Sequence, residues 1–331
     1  MIDRELKFSL WLDFVEREFL KNDFLKLIDE GIINGATSNP SIFASAITTS
    51  PAYREQLASL QGKSAKEKYE ALAIEDIRTA AQALRHAYDT ANDGYISIEV
   101  DPFLSNDTKG TIEEGKRLFR AIGEPNVMIK VPATNAGYEA MRELLSMGIS
   151  VNATLIFSPE QARRCLKFMT AGLHEYDATG GGKVNAVISV FVSRFDRLLD
   201  ADLAEEGMDV AKTGIYNAAK IYNIIEKNYT PNIRTLFAST GVKGDNLPAD
   251  YYIRELFAPH SVNTAPLGTI EAYLAKKATA PKLPLEDAEI NGYFTKLKDC
   301  GFDMQAVYDS LLKDGLEAFE KAFQDMLKSI E

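Results

Sequence analysis

Cysteine, histidine and tryptophan are scarce in this chain, with two, three and one among 331 residues. Cys165 and Cys300 stand far apart and form no C-x-x-C unit, so a disulfide framework has no basis and two free thiols in a reducing compartment are expected. His86, His174 and His260 show no H-E-x-x-H spacing, which leaves metal chemistry without a motif. The first two read as surface or core imidazoles; His260 follows an apolar run at a loop, where a structural or a functional role fits. No G-x-G-x-x-G or G-x-x-x-x-G-K-[ST] occurs, so nucleotide cofactors lack a handle. Also missing is any long apolar run resembling a signal peptide or spanning helix, the chain opening on MIDRELKFSL. Positive charge is short as well: 37 basic against 48 acidic residues leave −11, which argues against nucleic acid or an anionic membrane as partner. A soluble, cytoplasmic protein is the expectation.

What the chain does have is apolar content, 46%, enough to bury a large core. Short β-rich runs alternate with longer helical stretches, the pattern of parallel strands joined by crossover helices. Eight runs stand out: FSLWLDF (8–14), IINGAT (32–37), YISIEV (95–100), VMIKV (127–131), ISVNATLI (149–156), VNAVISVFV (184–192), IRTLFAS (233–239) and YIRELFA (252–258). Eight strands with helices between them predict an α/β fold, a single closed (β/α)8 barrel over residues 1–331. The stretch 41–94 has room for extra helices, and 284–330 reads as a helical C-terminal appendage.

With the strands placed, polar residues gather at their C-terminal ends, the face on which barrel enzymes build their sites. Asp13 ends the first run, Asn39 follows the second and Glu99 ends the third. Lys130 closes the fourth, Asn152 and Thr154 sit late in the fifth, and Ser189 lies in the sixth. Lys130 is the anomaly, because an ammonium in a buried strand loses its hydration at a cost of several kcal/mol, roughly, without a partner. Desolvation favours the neutral amine, the nucleophile that attacks a ketone to give a Schiff base. The protonated imine is an electron sink that allows retro-aldol cleavage with no metal or cofactor. Asp13 could take the hydroxyl proton at the bond that breaks, and Glu99 with Thr154 could handle the water lost from the carbinolamine. Each has a plainer alternative. Asp13 could be a strand-end acceptor, Glu99 a buried ion-pair partner for Lys130, Thr154 an ordinary β-former, and Asn39 and Asn152 capping amides.

A second ligand is also readable. After the seventh run comes FASTGVKG (237–244), with small residues allowing close backbone approach, where barrels recurrently bind phosphate. Arg194, just past the sixth run, could clamp that anion bidentately or pair with Asp196 at a helix start.

LWLDF, GATSNPSIF, SIEVDP, MIKVPAT, NATLIFS, ISVFVSR, ASTGVK and VNTAP together resemble, in order and across almost the whole chain, the transaldolase family in its longer bacterial form. The resemblance implies Lys130 as Schiff-base lysine, Asp13 as acid/base at the cleaved bond, and Glu99 and Thr154 as positioners of the catalytic water. Asn39, Asn152 and Ser189 resemble substrate hydrogen-bonding residues, and Arg194 and Ser239 phosphate binders. Shorter members carry an arginine two residues after the matching serine. Here that position is Gly241, and the cation of this corner is assigned to Lys243. The family transfers a dihydroxyacetone unit between small-molecule sugar phosphates without a cofactor, and the chain leaves self-association open. Two other readings stand beside it: a lysine aldolase that releases a free three-carbon product, and a non-catalytic sugar-phosphate binder.

Overall fold

Along the strand β4 (Val127–Pro132), Ile129 and Val131 join the core shared with the surrounding helices, while Met128 belongs to the cluster inside the sheet. The same alternation puts Leu10 and Leu12 of β1 (Ser9–Asp13) outward and Trp11 inward. A strand whose two faces are both covered by apolar groups belongs to a parallel sheet with helices on its outer side. The computed structural model describes residues 5–244, 246–278 and 280–331 and shows that arrangement closed on itself. The remaining strands are β2 (Ala36–Thr37), β3 (Ile96–Glu99), β5 (Ser150–Ile156), β6 (Ala186–Phe191), β7 (Ile233–Ala238) and β8 (Ser261–Ala265). Each pairs in parallel with its sequence neighbour, and β1 closes on β8, a (β/α)8 barrel as predicted.

Seven of the eight predicted runs contain a strand; the eighth does not. YIRELFA forms the short helix Tyr251–Glu255 and its exit, with Tyr252, Ile253, Leu256 and Phe257 buried at helical spacing. The true last strand, SVNTA, carries too many polar residues to read as an apolar run. Those side chains find partners within the fold: Thr240 Oγ1 donates to Asn263 Oδ1 at 2.9 Å, and Ser261 Oγ to Ala258 O at 2.7 Å, while Asn263 Nδ2 is buried with no partner among the described residues. The second run shortens to two strand residues because Ile32 and Ile33 turn their N–H groups onto Leu27 O at the preceding helix end. Gly35 in that turn lies against the Trp11 indole, where a Cβ would sit 2.3 Å from Nε1.

The stretch 41–94 does hold extra helices, among them Pro40–Thr49 and the 27-residue Ala65–Ala91. The C-terminal segment forms the helices Asp287–Asp299 and Met304–Ser329. The last is no outlying appendage. It packs on Pro40–Thr49 and β5, and Lys68 Nζ ties down its end by donating to Ile330 O at 2.9 Å. Among the described residues, no helix is long and apolar enough to cross a membrane.

Candidate active site

Strand register puts the chemistry in one row. Glu99 pairs with Lys130, and Lys130 with Asn152, across three neighbouring strands, so all three project into the barrel at the same height. Lys130 Nζ lies 3.5 Å from Glu99 Oε1, with both side chains under 10% exposed, and donates to Ser38 O at 3.2 Å. The Phe319 ring of the last helix stands 5.7 Å from the same nitrogen. The question of why a lysine occupies an apolar strand therefore has a geometric answer: alternation turns it away from the helices and into the barrel mouth.

That mouth is a cavity of about 210 Å³ whose lining includes Asp13, Asn39, Lys130, Ser189, Arg194 and Ser239. Six of the ten residues singled out from the sequence thus converge on one space from five strands or the loops after them. Burial raises the Asp13 carboxyl above the usual range, against the opposing charge of Lys130 and a 2.6 Å hydrogen bond from Thr37 Oγ1. Burial likewise pushes Glu99 up to about 7, with Lys130 opposing and Asp13 adding to the rise. A carboxyl in that range exchanges its proton at neutral pH, as an acid/base group must.

The rest of the set lies deeper or apart. Asn152 is fully buried, donating to Ser97 Oγ at 2.9 Å and accepting from Ser189 Oγ at 2.6 Å, so it does not cap a loop. Asn39 does cap: its Oδ1 accepts from Ile42 N at 3.0 Å while the residue also lines the cavity. Thr154 Oγ1 is buried with no hydrogen-bond partner among the described residues, one residue before Leu155, whose φ of 58° accompanies a register break in β5. A branched side chain in left-handed backbone is strained, and such strain gathers at functional sites. Gln161 holds the bend, donating to Leu155 O at 3.0 Å and accepting from Phe157 N at 2.9 Å.

On the opposite wall, Ser239 also adopts a positive φ, 55°, and its hydroxyl is 2.9 Å from Ser193 Oγ. Arg194 makes no ion pair among the described residues. Asp196, its alternative partner, accepts instead from Gly214 N at 2.9 Å and Tyr252 OH at 2.8 Å. A partly buried guanidinium facing a cavity, with Asp314 near enough to act on its charge but not paired with it, is suited to an anionic ligand. Lys243 is exposed and is not on the cavity lining, so the loop does not bring it to this corner. His260 is structural, with Nδ1 3.0 Å from Glu226 Oε1 and its ring against Tyr229.

Sequence reasoning passed over Thr37, Ser41, Phe191, Thr264 and Phe319, which also line the cavity. Thr37 Oγ1 stands 2.6 Å from Thr264 Oγ1, linking Asp13 across β2 to β8. GATSNP and VNTAP contain the two threonines, but only barrel closure makes them neighbours.

Comparison with known proteins shows the family of the chain. The family model for transaldolase/fructose-6-phosphate aldolase matches residues 10–330. A transaldolase of Campylobacter jejuni subsp. jejuni (strain 81-176) is 50% identical over 332 residues, covering 98% of this chain and 99% of its own. A transaldolase of Helicobacter pylori (strain Shi470) is 47% identical over 324 residues with the same coverage.

Proposed function

The chain belongs to the transaldolase/fructose-6-phosphate aldolase family, and from that premise we propose that it is a cytoplasmic transaldolase. It transfers a dihydroxyacetone unit from sedoheptulose 7-phosphate or fructose 6-phosphate to glyceraldehyde 3-phosphate or erythrose 4-phosphate, a step of the non-oxidative pentose phosphate pathway. The observation that carries this is the buried amine of Lys130, 3.5 Å from Glu99, on a cavity that Arg194 also lines, with no ion pair to that arginine among the described residues.

The donor phosphate sits against Arg194 and Ser239, which places the ketone carbon over Lys130. Lys130 passes its ammonium proton to Glu99 across their 3.5 Å contact, attack by the freed amine gives a carbinolamine, and the protonated Glu99, with Thr154 holding the water, removes the hydroxyl as water. The iminium that remains withdraws electrons while Asp13 takes the proton from the neighbouring hydroxyl, and the C–C bond breaks to release an aldose phosphate. A three-carbon enamine stays on Lys130. It attacks the acceptor aldehyde, Asp13 returns its proton to the new alkoxide, and water released through Glu99 hydrolyses the imine. Ser189, Asn39 and Asn152 hold the hydroxyls in line. No cofactor is needed, because the imine nitrogen is itself the electron sink.

Borohydride added with fructose 6-phosphate should trap a reduced adduct on Lys130, and Lys130→Met should abolish it in a folded protein. Release of free dihydroxyacetone as fast as transfer, with no aldehyde acceptor supplied, would identify an aldolase instead.

A further inference from the structure

The hydroxyl of Thr264 is a polar group on the cavity wall that has no part in the steps above. Thr264, near the end of β8, is 4% exposed and lines the mouth together with Asp13 and Thr37. β1 lies between β8 and β2 in the closed sheet, and side chains from alternate strands share one layer inside such a barrel. Thr37 Oγ1 and Thr264 Oγ1 therefore meet across β1, 2.6 Å apart, while Thr37 Oγ1 also stands 2.6 Å from Asp13 Oδ1. Both threonines are buried, and the backbone of Thr264 is pinned by Thr240 Oγ1, which donates to its carbonyl at 2.8 Å.

A hydroxyl carries one proton, and that sets the direction of the row. The ionised Asp13 carboxylate only accepts, so Thr37 gives its proton to that bond. Thr264 Oγ1 must then donate to Thr37 Oγ1, its one hydrogen-bond partner among the described residues. Hydrogen bonds in series polarise one another, and the last bond, to the charged carboxylate, gains strength. One oxygen of Asp13 is thereby held from the barrel wall, which leaves the other for the sugar hydroxyl.

We propose that Thr264 is a positioning residue for carbon–carbon cleavage: acting through Thr37, it orients Asp13 toward the substrate and holds it as the base. Its hydroxyl works on Thr37 alone, and no covalent bond forms or breaks at either threonine. The inference rests on the transaldolase reading and on the base role given there to Asp13. The charged groups around that carboxyl are Lys130 on β4, whose charge favours the ionised form, Glu99 on β3, and Arg194 on the helix Ser193–Glu205 across the mouth.

Thr264→Val keeps the shape and removes the hydroxyl. The whole protein is mixed with fructose 6-phosphate, quenched with borohydride and weighed intact. The six-carbon adduct should form at the wild-type rate, with the same dependence on sugar concentration, and convert to the three-carbon adduct about two- to fivefold more slowly. A weaker bond to the carboxylate disfavours its charged form, so the rising limb of the cleavage profile should move to higher pH. Thr264→Ser should restore both rate and limb. In a Thr37→Val background, adding Thr264→Val should change neither, because the hydroxyl has lost the group it acts through. A folded Thr264→Val protein with wild-type cleavage and an unmoved limb overturns the inference. So does an altered concentration dependence, which would mean direct contact with the sugar, or equal slowing with and without the Thr37 hydroxyl. Should Thr264→Val not fold, Thr264→Ala decides by the same readouts. Wild-type protein that traps no adduct at all overturns the transaldolase reading, and this inference with it, a result distinct from any of these.

Discussion

Two carboxyls flank Lys130, and their surroundings assign them to different steps. Asp13 opens onto the mouth and is hydrogen-bonded to Thr37, whereas Glu99 is buried behind the amine. Asp13→Asn should therefore form the imine and scarcely cleave it, so that borohydride traps a six-carbon adduct. Glu99→Gln should slow imine formation and hydrolysis together, each by about 10²–10⁴-fold, the span of acid/base contributions. Intact-protein mass distinguishes the two. A three-carbon adduct formed at the normal rate in Asp13→Asn would rule out Asp13 as the required base. The pH dependence follows from Glu99 lying at about 7. Water loss needs the protonated carboxyl, so the rate of imine formation should fall as pH rises through that value, and Glu99→Gln should remove this limb. A limb that persists in Glu99→Gln belongs to another group.

At the scale of elements, the last helix does more than cover the barrel. Phe319 closes the mouth over Lys130, and Gly315, one turn earlier, leaves the space in which Arg194 lies. A Cβ at Gly315 would meet Leu155 Cδ2 at 3.0 Å and Arg194 Nη1 at 3.4 Å. Glycine inside a helix costs roughly 0.5–1 kcal/mol relative to alanine, so close approach to the β5 bulge and the guanidinium offsets a real penalty. Gly315→Val should push Arg194 off its position. Binding of fructose 6-phosphate should weaken about tenfold or more, the worth of a charge-assisted contact, while unphosphorylated fructose binds as before. Equal losses for both sugars, measured by titration, would place the damage in the barrel mouth and not in the anchor.

For the whole molecule, the end of the barrel opposite the site is closed by polar groups. Asp93 accepts from Trp11 Nε1 at 2.9 Å, Asn34 Nδ2 at 2.8 Å and Arg234 Nη1 at 3.0 Å, and also from Ser9 Oγ. Arg234 in turn donates to Ser261 O at 2.8 Å, so β1, β7 and β8 meet in one network where the sheet closes. Breaking a buried pair strands the other charge, at a cost of about 3–5 kcal/mol. Asp93→Ala should lower the denaturant midpoint accordingly and leave kcat of the folded enzyme unchanged, because the network is remote from Lys130. A lowered kcat at full folding would show that barrel closure also sets the geometry of the mouth.

Period-two alternation and strand-end position are local properties, and they were enough to pick out Asp13, Glu99, Lys130, Asn152 and Ser189 and to expect a closed barrel. The same criteria misread YIRELFA, whose apolar residues serve a helix, and passed over SVNTA, whose polar side chains find partners only inside the finished barrel. Lys243 follows a glycine turn in a sequence well suited to phosphate, yet the loop leaves it exposed. Phe319 looks like any apolar-face residue of an amphipathic helix; its meaning comes from a lysine far away in the chain. Sequence alone determined which face each strand residue takes, because a side chain's direction depends on its neighbours in the chain. Which distant side chains meet, and what space they enclose, was decided by tertiary packing, because barrel closure and helix docking bring together groups that no local period relates.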